Sequence, residues 1–210
     1  MIDFDVLNSI KGFMDDEEAK RLYSVAFKAA AIGPVLEIGS YCGKSAYILG
    51  KACKKKESIL FSIDHHKGSE EQQPNEEYFD LDLFDPKLSR VNTFPFFQET
   101  ISRTALENTV VPIVAASRTI GKMWKTPVSM LFIDGGHSFE AVHEDFLIWS
   151  CHIKPGGFLV IHDIFKDPEK GGQAPRQVYE IALNSGSYEE LEMTKTLGVL
   201  KRKKGTHLHG

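Results

Sequence analysis

The sequence predicts an α/β fold: a mostly parallel sheet covered by helices on both faces. Three observations carry that expectation. Short, nearly continuous apolar runs alternate with stretches of helical period. The runs have no polar alternation, as strands buried on both sides require. The chain also closes on two extended runs joined so tightly that an antiparallel pair is the natural reading.

The elements follow in order. Residues 15–31, DDEEAKRLYSVAFKAAA, read as a helix, with an acidic first turn, apolar residues at helical spacing and a stop at Gly33-Pro34. Pro34 to Ile38 is a short β-branched strand, and residues 43–55 form a helix opened by Gly and Ser. SILFSID (58–64) is the second strand. A polar stretch then begins, long and charged enough to read as an inserted lid over 65–95. Residues 96–108 look helical and VVPIVAAS (110–117) is the third strand. MLFID (130–134), a helix over 138–150 and GFLVIHD (157–163) come next, with Pro155-Gly156-Gly157 as the turn between that helix and its strand. A helix at 175–184 precedes the terminal runs 188–194 and 196–202.

Composition limits the function classes. The 210 residues carry 25 Lys+Arg against 29 Asp+Glu, a formal charge of −4, and 42% are hydrophobic. These figures suit one soluble domain over 1–210, with an N-terminal helical segment (1–32) and a tail (204–210). No apolar run has the length of a membrane span, and the acidic start lacks the features of a signal peptide. The acidic balance argues against a nucleic-acid partner, whose phosphates need basic surface. Cys42, Cys53 and Cys151 form no CxxC pair, so a reducing cytoplasm is expected.

In a parallel α/β sheet, ligands gather at the carboxyl ends of the strands. After strand one stands Glu37-Ile38-Gly39-Ser40-Tyr41-Cys42-Gly43-Lys44-Ser45, a turn whose glycines let backbone approach a ligand beside a helix N-terminus. It is one residue short of a phosphate-binding P-loop, and Tyr41 stands where a dinucleotide fingerprint needs its second glycine. Asp64, 25 residues beyond Gly39, is placed to accept hydrogen bonds from ribose hydroxyls, with His65 and His66 beside it. Strand four ends Asp134-Gly135-Gly136-His137 and strand five ends His162-Asp163. Carboxylates and imidazoles in one cleft suit a divalent metal (Mg, Mn, Fe or Zn) or metal-free acid–base work. His143, His152, His207 and His209 have no such placement.

These residues resemble a known family. VLEIGSYCGKSA resembles motif I, [DE]xGxxxGxS, of the class I S-adenosylmethionine-dependent methyltransferases, and SIDHH resembles their second motif. The segment 131–165 resembles the small bacterial O-methyltransferase-like subgroup with DGxHxxxxxxxD followed by GGxxxxHD. The resemblance covers about residues 15–203. It implies a Rossmann-like methyltransferase fold with seven strands in the order 3-2-1-4-5-7-6, the last antiparallel. It implies that Glu37, Gly39, Ser40 and Gly43 shape the pocket for the methionine part of S-adenosylmethionine (SAM), that Asp64 holds its ribose and that Ser117 approaches its adenine. Tyr41, Ser45, His65 and Asp134 complete the candidate cofactor-binding set. In metal-dependent members of similar pattern the ion is held after strands four and five, which matches Asp134 and the pair His162-Asp163; the histidine favours a softer metal than magnesium.

The expected activity is O-methylation of a small hydroxylated molecule, with or without a metal. His137 is the expected general base and Asp134 its partner in aligning the nucleophile. Three other readings share the residues: a metal-dependent hydrolase or hydroxylase using the His/Asp cleft, a P-loop-like nucleotide hydrolase, and a non-catalytic binding protein. The N-terminal helix and the long loop are candidate contacts for a homodimer.

Overall fold

The structure is a computed structural model that describes residues 2–136 and 138–205; His137, His207 and His209 lie outside the described residues. A seven-stranded sheet runs through its centre. In chain order the helices are α1 (Phe4–Asn8), α2 (Asp16–Ala30), α3 (Lys44–Lys55), α4 (Phe94–Arg103), α5 (Ser117–Gly121), α6 (Phe139–Trp149) and α7 (Ala174–Asn184). The strands are β1 (Val35–Ile38), β2 (Leu60–Asp64), β3 (Phe84–Asp85), β4 (Arg90–Val91), β5 (Val110–Val114), β6 (Val128–Ile133), β7 (Ile153–Ile161), β8 (Tyr188–Glu190) and β9 (Gly198–Arg202).

The main sheet is ordered β5-β2-β1-β6-β7-β9-β8. Counted along its own seven strands this is 3-2-1-4-5-7-6, as the resemblance implied. β1 pairs in parallel with β2 and β6, and β9 inserts antiparallel between β7 and β8. Every residue of β1 and β6 is buried, which explains why those runs read as continuous apolar sequence. Side chains alternate between two cores. One gathers α2, α3 and α4 around Leu22, Tyr47 and Phe97. The other gathers α6 and α7 around Phe146, Trp149 and Val178.

Local chemistry explains where the elements start and stop. Asp15 and Glu18 form a reciprocal capping box on α2. α4 begins at Phe94, two residues before the expected start, because Pro95 is preset for a first helical turn. It ends at Arg103, and Ala105 then takes a left-handed conformation at φ 53°.

Three expectations need correction. The third strand stops at Val114, and Ser117 opens the short helix α5. Pro155-Gly156-Gly157 does not separate helix from strand: β7 runs through it, absorbing the extra residues in a register shift opposite Val128 to Met130. A Cβ on Gly157 would lie 2.6 Å from the Ser129 carbonyl oxygen, so only glycine fits there. The 65–95 excursion is not one open loop, because it carries two 3₁₀ turns and the β3–β4 ribbon, packed over Leu83 and Val91.

Candidate functional site

The carboxyl ends of β2, β1, β6 and β7 open into a cleft of about 540 Å³. Its floor is the turn after β1. Gly39 (φ 88°) and Gly43 (φ 92°) are both left-handed, and so is Tyr41 between them (φ 48°). The Gly39 N–H donates to the Ile63 carbonyl at 3.0 Å, and the Asp134 N–H donates to the Ile38 carbonyl at 2.9 Å. The turn is therefore tied to both neighbouring strands.

The Asp64 carboxylate locks this turn from the side. Its Oδ2 accepts from the amides of Ser40 (2.8 Å) and Tyr41 (2.9 Å), and Oδ1 accepts from the amide of His66 (2.7 Å). A carboxylate has about four acceptor positions. Three of them hold backbone, so the side chain has room for one further hydroxyl donor rather than two.

Glu37 and Gly43 do not reach the cleft wall. Glu37 is fully buried beneath the turn, where Oε1 accepts from Ser62 Oγ at 2.6 Å, and Ser62 Oγ lies 2.6 Å from Ser40 Oγ. Burial pushes its carboxyl up to about 8, against the opposing effect of the Ser62 and Ser45 hydroxyls. Gly43 instead faces α4, where a Cβ would meet Thr100 and Phe97. Ser40, Tyr41, Ser45 and His65 do line the cleft. Lys44, the residue that made a P-loop worth testing, donates its ammonium to the Gly12 carbonyl at 3.0 Å.

His66, next to Asp64 and His65 in the sequence, is a packing residue and does not line the cleft. It is buried, with Nδ1 2.8 Å from Thr93 Oγ1 and its ring against Phe94 and Phe97.

At the far end the structure brings Asp134, His162 and Asp163 together. His162 Nδ1 is 3.0 Å from Asp134 Oδ1 and 3.5 Å from Asp163 Oδ1. The three side chains each offer a donor atom within 4.8 Å of the others. Burial opposes charge on His162, but Asp134, Glu18 and Asp163 outweigh it and hold the ring well above its ordinary value. Asp163 takes a left-handed backbone at φ 59°, a conformation an aspartate holds at some energetic cost. His137, three residues beyond Asp134, lies outside the described residues.

Two carboxylates went unnoticed at the sequence level. Glu18 bonds the other nitrogen of His162 from 144 residues away, Oε2 to Nε2 at 3.1 Å. Its only sequence signal is a capping-box position, which explains a helix start and nothing more. Asp145 comes from α6 and bonds Ser117 Oγ through Oδ1. Burial pushes its carboxyl up to about 6. The signal was present, since Asp145 is the last residue of the DGxHxxxxxxxD pattern.

The rim also differs from expectation. Residues 68–72 of the excursion line the cleft, and so do Lys11 to Met14, from the segment before α2. Lys11 Nζ bridges to Asp80 (2.5 Å) and Asp82 (2.8 Å), and Phe13 packs against Tyr41 and Tyr78.

Comparison with known proteins bears on the fold. The sequence profile of a family described as "Methyltransferase domain" matches residues 36–164. Among solved structures, an O-methyltransferase from Bacillus cereus in complex with SAH superposes with a TM-score of 0.64 at 14% identity, covering 96% of this chain and 90% of that one. TomG from Streptomyces achromogenes, involved in tomaymycin synthesis and solved in complex with SAM, gives 0.63 at 16% identity over 92% and 82%. An rRNA methylase from Streptococcus thermophilus gives 0.58 at 10% identity over 92% and 100%. At these identities the likeness is one of fold.

Proposed function

Because this chain belongs to the methyltransferase-domain family, we propose that it transfers the methyl group of SAM to a hydroxyl oxygen of a small molecule. One observation carries the reading. The glycine turn with Asp64, the Ser117–Asp145 pair and the Asp134–His162–Asp163 group all face one continuous cleft. The first two suit the amino-acid, ribose and adenine parts of the cofactor. The third suits the reacting oxygen.

The transfer is an in-line displacement. An oxygen lone pair of the acceptor forms the new bond to the methyl carbon while the carbon–sulfur bond breaks and its electrons neutralise the sulfonium. The acceptor's proton must leave, so the protein needs alignment and a base more than covalent chemistry. His137 and Asp134 are the proposed base and its aligning partner.

The donor set fits a divalent metal. Asp134, His162 and Asp163 converge, and the outer nitrogen of His162 is already given to a carboxylate, as ligating histidines commonly are. The nitrogen donor favours Mn, Fe or Zn over Mg. An ion there supplies Lewis acidity that lowers the pKa of the acceptor hydroxyl.

A small acceptor is favoured over nucleic acid. The excursion brings Glu70 and Glu71 to the cleft, and the chain as a whole is acidic. A cytoplasmic setting is in keeping with cysteines that are all free. None of the described helices is long and apolar enough to cross a membrane.

The test is turnover of methyl-labelled SAM with a panel of small phenols, sugars and hydroxy acids. A product heavier by one labelled methyl group supports the reading. SAM hydrolysis alone, or transfer only to RNA, overturns it.

A further inference from the structure

The Gly43-Lys44-Ser45 triplet looks like the end of a phosphate-binding loop, and its lysine has no part in the chemistry proposed above. The pattern [DE]xGxxxGxS specifies the residues on both sides of Lys44 and leaves Lys44 itself open. Lys44 is the first residue of α3, is half-buried and lines the cleft. Its ammonium donates to the Gly12 carbonyl at 3.0 Å, which uses one of its three N–H groups. Among the described residues no carboxylate bonds to it. Burial holds the amine below the ordinary lysine value, and Asp16 opposes this only in part. A cation with two spare donors therefore stands at the cleft.

The lysine is also held in place. Gly12 has φ 141°, and a Cβ there would lie 3.2 Å from Lys44 Cβ and 3.6 Å from its Cδ. The backbone of the segment before α2 thus packs on the lysine stem, while the Gly12 carbonyl ties its far end. With stem and tip both fixed, little side-chain freedom is left to lose when a ligand binds.

The other described basic side chains of the cleft have other places. Lys11 is bridged to Asp80 and Asp82. Arg118 follows Ser117, at the end proposed for adenine, which carries no charge. With ribose at Asp64 and adenine at Ser117, the amino-acid end of SAM falls to the turn from Gly39 to Ser45. A carboxylate taken out of water needs donors, and a charged one is worth about twice a neutral one. We propose that Lys44 recognises the carboxylate of SAM, giving it a spare N–H while another stays on the Gly12 carbonyl. This rests on the reading of the cleft as a SAM site and names the residue that selects the amino-acid end. The same contact ties the segment before α2 to the occupied cofactor site.

The experiment is calorimetry with S-adenosylhomocysteine (SAH) and with decarboxylated SAH, which keeps the adenosine, the sulfur and the amine. Lys44→Met keeps most of the stem and removes the charge, and thermal melting reads whether it is folded. It is expected to bind SAH at least about ten-fold more weakly than wild type. Decarboxylated SAH is expected to bind it as tightly as wild type or more tightly, because a lysine beside the lone amine only repels. A second reading needs no variant. By ¹³Cε NMR of the wild-type lysines, the Lys44 amine is expected to titrate at higher pH with SAH bound than without, and not to rise with decarboxylated SAH. Equal weakening of both ligands in Lys44→Met, unchanged SAH affinity, or a Lys44 amine that does not respond to SAH overturns the proposal. In those cases SAH still binds the wild type and the SAM reading stands. A wild type that binds neither ligand defeats both.

Discussion

A Cβ placed on Gly39 would lie 2.1 Å from the carbonyl oxygen of Asp134. The turn after β1 and the end of β6 are thus in contact through bare backbone, and the floor of the half proposed for the cofactor touches the residue that begins the half proposed for the acceptor. Gly39→Ala must push these strands apart and also force alanine into φ 88°. The backbone alone costs about 1–3 kcal/mol, and the steric clash adds to it. The variant is expected to melt several degrees lower and to bind SAH at least about ten-fold more weakly, read by calorimetry at a temperature where it is folded.

Glu37 makes stability depend on pH in a defined direction. Its folded value of about 8 lies above the ordinary 4.5. Between those values the native protein holds a proton that the unfolded chain has released, so stability falls as pH rises through this window. The slope approaches about 1.4 kcal/mol per pH unit at most. Glu37→Gln removes the group, and its denaturant midpoint is expected to vary less between pH 5 and pH 8 than that of the wild type. Parallel slopes in the two proteins would contradict this.

Asp145 shares a hydrogen bond with Ser117 at the end proposed for adenine. Its carboxyl reaches about 6 through burial, so the free protein gains an acceptor as pH rises past 6. SAH affinity is expected to increase between pH 5 and pH 7 in the wild type and to stay flat in Asp145→Asn. At pH 7 the variant is expected to bind about ten-fold more weakly, the worth of one good hydrogen bond.

Lys11 joins the segment before α2 to the excursion through Asp80 and Asp82. All three groups are partly solvated, so the bridges contribute little to stability. Lys11→Ala is expected to leave the melting temperature within about 2 °C of wild type. It is expected to raise KM for the acceptor with little change in SAH affinity, because the latch sits at the rim beside Phe13 and Tyr78.

Much of the fold was legible because its signals are local. Burial of β1, β6 and the inner part of β7 on both faces forces apolar runs, and Gly39 and Gly43 mark a turn that L side chains resist. The metal-type group was legible for a related reason, since Asp134 and the His162-Asp163 pair each end a strand. What escaped depends on packing between distant segments. Glu18 meets His162 only after α2 folds across the sheet, and no spacing rule spans that distance. Lys11 to Met14 carry no periodicity that would set them at a cleft. Asp64 illustrates a subtler limit. Its position at the cleft was readable, but its three backbone partners were not, and they reduce what it can offer a ribose.

The most direct measurement is a calorimetric titration of the wild-type protein with SAH, run once with chelator and once with added Mn²⁺. The proposed placement of the cofactor at the turn, Asp64 and the Ser117–Asp145 pair predicts saturable one-to-one binding in both, because that placement does not call on the acceptor end. Absence of binding in both conditions would contradict the assignment of this cleft to SAM.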